Sequence, residues 1–366
     1  MSRIYLIRHC EAEGNVCRRT QAHSNGLVTE KGLAQCEVLR ERFAGVPLDG
    51  IYSSDVYRSL VTAEYLAKDR GLPVRPRISF REICTGFWES IAWGNVAHDY
   101  PEENKIWNTE PWKKSAPGAG SFEAVGEMMC HGLLEVAREV GPEGSAAVIS
   151  HSVSIKCALC RIEGRPIEEV LSLGHGDNTA VSVIECRDGK LSVLKKNDDS
   201  HLPPALRRRW NGIAGDDINL YLGPMSDESV RKDYEELAER CAKERGEKAA
   251  PWQDLINTHP NYIRVAYLKN KPVGFYRISP EEAPSPERSI ETVYLTEELR
   301  GKGYSEQLLG EMIYWLRYED VERLYFPEKP DAEEERLSHV FPLATDENGR
   351  NCLKLFTEPL LAPVLV

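Results

Sequence analysis

No apolar stretch of the 366-residue chain comes near the ~20 residues needed to cross a bilayer. The N-terminus, Met1-Ser2-Arg3-Ile4-Tyr5-Leu6-Ile7-Arg8-His9, holds four apolar residues between charges, too few for the core of a secretory leader. It reads as a buried strand, and a cytoplasmic protein without a membrane partner is expected. An excess of positive charge is also missing. The net charge is −12, with −4 on residues 1–200 and −8 on the remainder. Neither part offers the basic surface that a nucleic-acid backbone requires, so no nucleic-acid partner is expected. A chain of this balance that binds phosphate must do so through a few placed arginines. The ten cysteines form no metal or disulfide framework. The one close pair, Cys157-Ala158-Leu159-Cys160, falls in what reads as a buried helix, whereas a redox pair needs an accessible turn. Buried free thiols suit a reducing compartment.

At this length two domains are the natural expectation. The first part alternates strands and helices, which gives an α/β sandwich. Strands are expected at Ile4–Ile7, Gly50–Ser54, Ala146–Ser150 and Val181–Cys186, the last turning back through Asp188-Gly189. Helices are expected from Thr29 to about Phe43, from Ser59 to Ala67, from Ser121 onward and from Ile155 onward. Residues 84–120, rich in Trp, Pro and Gly, read as an irregular insertion of the kind that covers a site. The implied organisation is a domain over 1–201, a linker over 202–216 and a domain over 217–366. The run Arg207-Arg208-Arg209 in the linker reads as a solvated helix face. In the second part, strands are expected at Ile218–Leu222, Asn261–Leu268, Pro272–Ile278, Ser289–Leu295 and Val321–Phe326, with helices at Glu228–Glu244 and Glu306–Trp315.

Four pieces of the first part share one chemistry. Two strands end in histidine, at Arg8-His9 and at Ser150-His151. A third strand end delivers Arg58, and Phe80-Arg81-Glu82-Ile83 delivers a carboxylate. Strand ends are where α/β sheets bind ligands. A neutral imidazole can attack phosphorus and carry the phosphoryl group. Arginine forks match phosphate oxygens, and a carboxylic acid can protonate the leaving alkoxide.

The stretch Leu6-Ile7-Arg8-His9-Cys10-Glu11-Ala12-Glu13-Gly14-Asn15 resembles the signature of the histidine phosphatase superfamily, the phosphoglycerate-mutase-like clan. Further blocks follow in order: Gln21, Leu27–Gly32, Ser54–Ala63, Arg81-Glu82-Ile83, Gly86–Glu89, Pro117–Phe122 and Ser150-His151. The resemblance implies a three-layer α/β sandwich and a metal-free reaction. It makes His9 the phosphorylated nucleophile and assigns the phosphoryl group to Arg8, Arg58 and His151. Asn15 and Gln21 would line the pocket, and Glu82 would donate the proton and later activate water. Cys10, Ala12, Ser90 and Ser152 depart from the usual residues without removing a functional group. Cys10 is either a small buried residue or an oxidation-sensitive neighbour of the nucleophile. The short segment from Glu82 to Ser121, with Lys105, Lys113 and Lys114 its only cations after Arg81, favours phosphomonoester hydrolysis of a small metabolite over phosphoglycerate isomerisation. Trp88, Trp93, Trp107 and Trp112 either shape a leaving-group pocket or form that segment's own core.

In the second part, Arg300-Gly301-Lys302-Gly303-Tyr304-Ser305 follows a strand and opens a helix, where amides and glycines can approach a pyrophosphate. It resembles the acyl-CoA loop of the GNAT acetyltransferases, as does the hairpin Val265–Arg277 before it. The resemblance implies an α+β domain with a mixed sheet that binds acetyl-CoA. Leu295 would contact the pantetheine arm and residues 300–305 the pyrophosphate. The family's Tyr-x-x-x-Gly-Phe stretch is missing. Glu291 is either a base or a surface residue, and an active acyltransferase, a CoA sensor and a structural module all remain open. The natural substrate, the acyl acceptor and the oligomeric state are not encoded in any motif.

Overall fold

The computed structural model describes residues 1–113, 116–208, 217–249, 261–279 and 286–356. Lys114, Arg209 and the rest of the expected linker, 210–216, lie outside them.

The first sheet contains β1 (Ser2–Arg8), β2 (Gly50–Ser53), β3 (Val74–Pro76), β4 (Ser145–Ser150), β5 (Val181–Arg187) and β6 (Lys190–Asp198). Their spatial order is β3-β2-β4-β1-β5-β6. β1, β2, β3 and β4 run parallel, and β5 and β6 close the edge antiparallel. Alternation along the central strands sorts side chains to two cores. Ile4, Leu6, Ala146 and Val148 face helices α6 (Phe122–Val140) and α7 (Ser152–Ile162). Ile7, Ala147 and Ile149 face helices α2 (Glu30–Arg42) and α3 (Tyr57–Ala67). Burial on both faces explains why these strands read as continuous apolar runs. A one-turn α1 (Glu13–Val16) follows β1, and α4 (Trp93–Asp99) and α5 (Pro101–Thr109) lie in the expected insertion.

α7 begins at Ser152, earlier than expected. Its first amides, Val153 N and Ser154 N, donate to the carboxylate of Glu82 at 3.1 and 2.9 Å. A cap supplied from so far back in the sequence leaves no local signal. The Trp-rich segment forms its own small core: Trp88 is fully buried and makes edge contacts with Trp93 and Trp107 at 6.5 and 6.0 Å between ring centroids. Trp112 packs against the larger core beneath.

The second sheet contains β7 (Tyr221–Pro224), β8 (Ile263–Leu268), β9 (Lys271–Ile278), β10 (Glu287–Leu295), β11 (Arg323–Tyr325), β12 (Ala344–Thr345) and β13 (Asn351–Lys354), in the order β12-β13-β11-β10-β9-β8-β7. It is mixed, with β10 and β11 parallel only at Glu287–Ser289 against Arg323–Tyr325. Helix α8 (Glu228–Arg245) covers one face through Val230, Tyr234, Leu237 and Cys241. Helix α9 (Ser305–Tyr318) covers the other through Leu308, Leu309, Met312 and Ile313. A short α10 (Ala332–Leu337) lies against β10. β7 starts later than expected because Leu220 N and Ile218 O are bonded by the Gln307 side chain of α9, at 2.9 and 2.7 Å, rather than by a strand.

The two parts share a core. Cys17 and Ala92 of the first pack among the α9 residues of the second. Arg19 Nη1 donates to Glu311 Oε2 at 2.6 Å, both side chains almost wholly buried. Arg317 donates with two nitrogens to Glu13, each at 2.9 Å. The Asn95 amide bonds both Leu222 N and Leu222 O, and His98 stacks on Tyr221.

Candidate active site

His9 and His151 leave the sheet from neighbouring parallel strands. His9 N donates to Ser150 O at 2.9 Å, which extends the β1–β4 pairing by one residue and fixes both histidines at the same edge. His9 Nδ1 lies 2.7 Å from Cys10 O. A carbonyl only accepts, so the proton sits on Nδ1 and the lone pair is on Nε2. Arg58, from the first turn of α3, donates from Nε to that Nε2 at 3.3 Å. Arg58 Nη2 donates to His151 Nδ1 at 3.1 Å, which leaves the His151 proton on Nε2. The two imidazole centroids are 5.1 Å apart. Burial, then the charge of Arg58, push both imidazoles well below the ordinary histidine pKa, with Arg8 adding to the effect. Both are therefore neutral at pH 7.

Arg8 is buried on the same edge and donates from Nη1 to Gly176 O at 2.9 Å, while its Nε has no partner. Burial, then Arg208, lower its pKa to about 10, and the nearby carboxylates of Glu82 and Asp177 oppose the shift. Glu82 is held by four donors: Ile83 N, Val153 N, Ser154 N and Ser154 Oγ, at 2.9 to 3.1 Å. The structure thus brings His9, Arg58 and His151 into direct contact, with Arg8 and Glu82 beside them.

The two remaining residues of the expected pocket sit differently. Asn15 Oδ1 accepts from Ala12 N and from Asn178 Nδ2, each at 3.1 Å. The Gln21 side chain turns away from His9, its Oε1 accepting from Gly14 N at 3.0 Å, and only its carbonyl touches Arg58. Asn178 carries no motif of its own in the sequence. Its Nδ2 also donates to His9 O at 3.0 Å, so it ties the nucleophile's backbone to Asn15. The polar run Asp177-Asn178-Thr179, buried just before β5, gave no sign of that role in the sequence. Glu89 supports the site from behind. Its Oε1 accepts from the Ala22, His23 and Ser24 amides and shapes the loop whose carbonyls hold Arg58.

Cys10 is fully buried, its Sγ 3.8 Å from Arg58 O. Cys157 and Cys160 are buried on α7, and burial raises both thiol pKa values. Arg208 is not on a solvated helix face. It follows a short turn at Pro204–Leu206 and donates from Nε to Asp177 Oδ1 at 2.7 Å. With Arg8, Arg18, Lys31, Asn15 and Asn178 it lines a cavity of about 170 Å³. A second cavity, about 240 Å³, lies between the two parts and is lined by Gln21, Ser24 and Ser90 on one side and Tyr314, Arg317 and Tyr318 on the other.

The loop expected to hold the cofactor lies between β10 and α9 and is already engaged. Gly301 and Gly303 adopt φ of +69° and +93°, which only glycine takes without strain. Gly301 N donates to Glu333 Oε1 at 2.6 Å and Ser305 Oγ to Glu333 Oε2 at 2.8 Å. Arg300 donates to Leu295 O at 2.8 Å and to Glu244 at 2.6 Å. Tyr304 is buried with its hydroxyl on Asp217 O, and Lys302 is exposed. Glu333 thus occupies two of the donors that the resemblance gives to a pyrophosphate. Glu291, the candidate base, is paired with Arg277 at 3.1 Å on the sheet surface.

Two neutral histidines and buried arginines gathered at the C-terminal ends of central parallel strands suit phosphoryl transfer. The chain belongs to the histidine phosphatase superfamily (branch 1), whose model matches residues 4–199, and residues 228–336 match the acetyltransferase (GNAT) family. It is similar to phosphoserine phosphatase 1 of Hydrogenobacter thermophilus, 31% identical over 55% of this chain and 95% of that protein. It is also similar to the probable phosphoglycerate mutase GpmB of Cronobacter sakazakii, 29% identical over 45% of this chain and 77% of that protein. Among solved structures, Bacillus stearothermophilus YhfR superposes with a TM-score of 0.53 and 26% identity, covering 55% of this chain and 99% of that one. The family match and these relatives make the chain an enzyme of this superfamily. Among the described residues no helix is long and apolar enough to cross a membrane.

Proposed function

We propose that the chain hydrolyses a small phosphomonoester through a phosphohistidine at His9. The contact of Arg58 with both His9 Nε2 and His151 Nδ1 carries this reading. The unprotonated Nε2 of His9 attacks phosphorus and the P–O bond to the alcohol breaks. Glu82 supplies the proton that the departing oxygen takes. Arg8, Arg58 and His151 hold the phosphoryl oxygens, with Asn15 supporting the loop beneath and Gln21 bordering the approach. Water, losing a proton to Glu82, then attacks the phosphohistidine and releases phosphate with His9 restored. No step involves a metal ion.

The cavity is lined by Glu11 and four cations, of which Lys31 and Arg208 are paired with Glu11 and Asp177; Arg8 and Arg18, which have no such pair among the described residues, favour a substrate whose alcohol carries a second acidic group, such as a phosphorylated hydroxy acid or amino acid. The name of the phosphoserine phosphatase relative is in keeping with that class. GNAT enzymes use acetyl-CoA, but no step here is assigned to it, because Glu333 engages the loop that would hold it.

The test is phosphate release from a panel of acidic and neutral phosphomonoesters, with trapping of acid-labile phosphate on the chain. Release, trapped phosphate, and loss of both in His9→Ala are expected. Isomerisation of phosphoglycerate without release would establish a mutase instead.

A further inference from the structure

The GNAT resemblance assigns acyl-CoA to Leu295 and residues 300–305, and the chain itself fills part of that loop and the strand backbone at Val293, two residues before Leu295. β10 separates from β11 after Ser289, which leaves its later backbone groups without a strand partner on that side. In this gap Val293 N donates to Glu334 Oε1 at 3.1 Å, and Val293 O accepts from Arg245 at 3.3 Å. From the neighbouring position on α10, Glu333 accepts from Gly301 N and Ser305 Oγ, and Arg336 Nη2 completes its carboxylate at 2.8 Å. Both glutamates are buried. α10 is fixed in place by Asp331, whose Oδ1 accepts from Glu333 N and Glu334 N at 2.9 Å, while Glu334 Oε2 takes Asp331 N at 3.0 Å.

Charge points the same way. The space left over, about 270 Å³, is bordered by Glu244, Asp331 and Glu333 against Arg245 and Arg300. Arg245 is already paired with Asp331 and Glu334, and Arg300 with Glu244. An arriving pyrophosphate would meet carboxylates and no uncommitted arginine among these residues.

We infer that α10 is a built-in occupant of the cleft that takes acyl-CoA in GNAT relatives, with Glu333 in the pyrophosphate's place and Glu334 on the strand backbone. The second part of the chain therefore does not bind acyl-CoA, and serves as a structural partner of the first. This does not depend on the phosphatase reading.

The experiment is calorimetric titration and thermal shift of the full chain with dephospho-CoA, which keeps the pyrophosphate but offers no phosphomonoester to His9. The native chain should show neither heat nor shift at about 1 mM ligand. Glu333→Ala uncovers Gly301 N–H and the Ser305 hydroxyl, while Arg336 keeps its pair with Glu306. Its melting temperature should fall, then rise by a few degrees with the ligand, as expected when ligand exceeds its Kd about tenfold. Binding by the native chain with a submillimolar Kd would overturn the inference. So would a folded Glu333→Ala that stays indifferent to the ligand. Should that variant fail to fold, the isosteric Glu333→Gln takes its place, and the native titration still decides.

Discussion

At the scale of single residues, the site works by keeping imidazoles neutral. Burial and the neighbouring Arg58 and Arg8 depress the pKa of His9, so its nucleophilic form persists well below the usual range. The acid limb of kcat/KM should consequently lie below about pH 6.5, the ordinary histidine value, and a limb at or above it would contradict the geometry. Replacing Arg58 with Met removes one cause of the depression and a phosphoryl ligand together. The limb should move up, and kcat should fall by about 10²–10³. Stability carries the opposite signature of the same shift. Unfolded imidazoles take up protons near pH 6.5, whereas the buried pair does not. The contribution is therefore complete above that pH and is lost as pH falls through it, by up to roughly 1.4 kcal/mol per pH unit for each ring. Thermal unfolding between pH 7 and 5 should show this slope, and His9→Gln with His151→Gln should reduce it, the remainder coming from His175 and His201, whose pKa values burial lowers to about 3 and about 4. The histidines, Arg8, Arg58 and Glu82 were legible because each follows a strand or sits in an ordered motif. Asn178 was not, since its role depends on reaching the backbone of residue 9 across the sheet edge.

At the scale of elements, α9 shows how tightly one helix can be committed. A Cβ on Gly310 would collide with the Cβ of Cys17, just past α1, and one on Gly94 of α4 would collide with the Leu220 backbone. Alanine is worth about 1 kcal/mol over glycine inside a helix. At position 310 that gain should be overridden, with Gly310→Ala losing about 1–3 kcal/mol through overpacking. Urea unfolding gives the sign directly, and a stabilised variant would refute the close approach. The positions of most elements were readable from periodicity. α10, β12 and β13 were not read at all, and two displaced starts share a cause. β7 starts late because Gln307 bonds the residues before it, and α7 starts early because Glu82 caps it. Both displacements come from side chains remote in sequence.

For the whole molecule, the question is whether the two parts unfold together. The Arg19–Glu311 pair is buried at the junction, and Glu311 also accepts from Trp315 Nε1 at 2.7 Å. Removing one partner of such a pair strands the other charge, at a cost of about 3–5 kcal/mol. Glu311→Ala should therefore lower the melting temperature of the entire chain, read by calorimetry as one cooperative transition. Two separate transitions in the native chain would show that the shared core does not couple them.

The sequence by itself determined the two families, the types of most elements up to Phe326, the histidines and arginines at the strand ends and the glycine loop before α9. These follow from local rules: strand and helix periods, turn residues and motif spacing. Only the tertiary structure decided what fills each place. It set Glu333 in a loop some thirty residues earlier, tied the Gln21 side chain to Gly14 N, paired Arg208 with Asp177 and put Cys17 into a core shared with α9. The reason is physical. A buried donor must find an acceptor, and which acceptor reaches it depends on how distant segments pack, which no local pattern records.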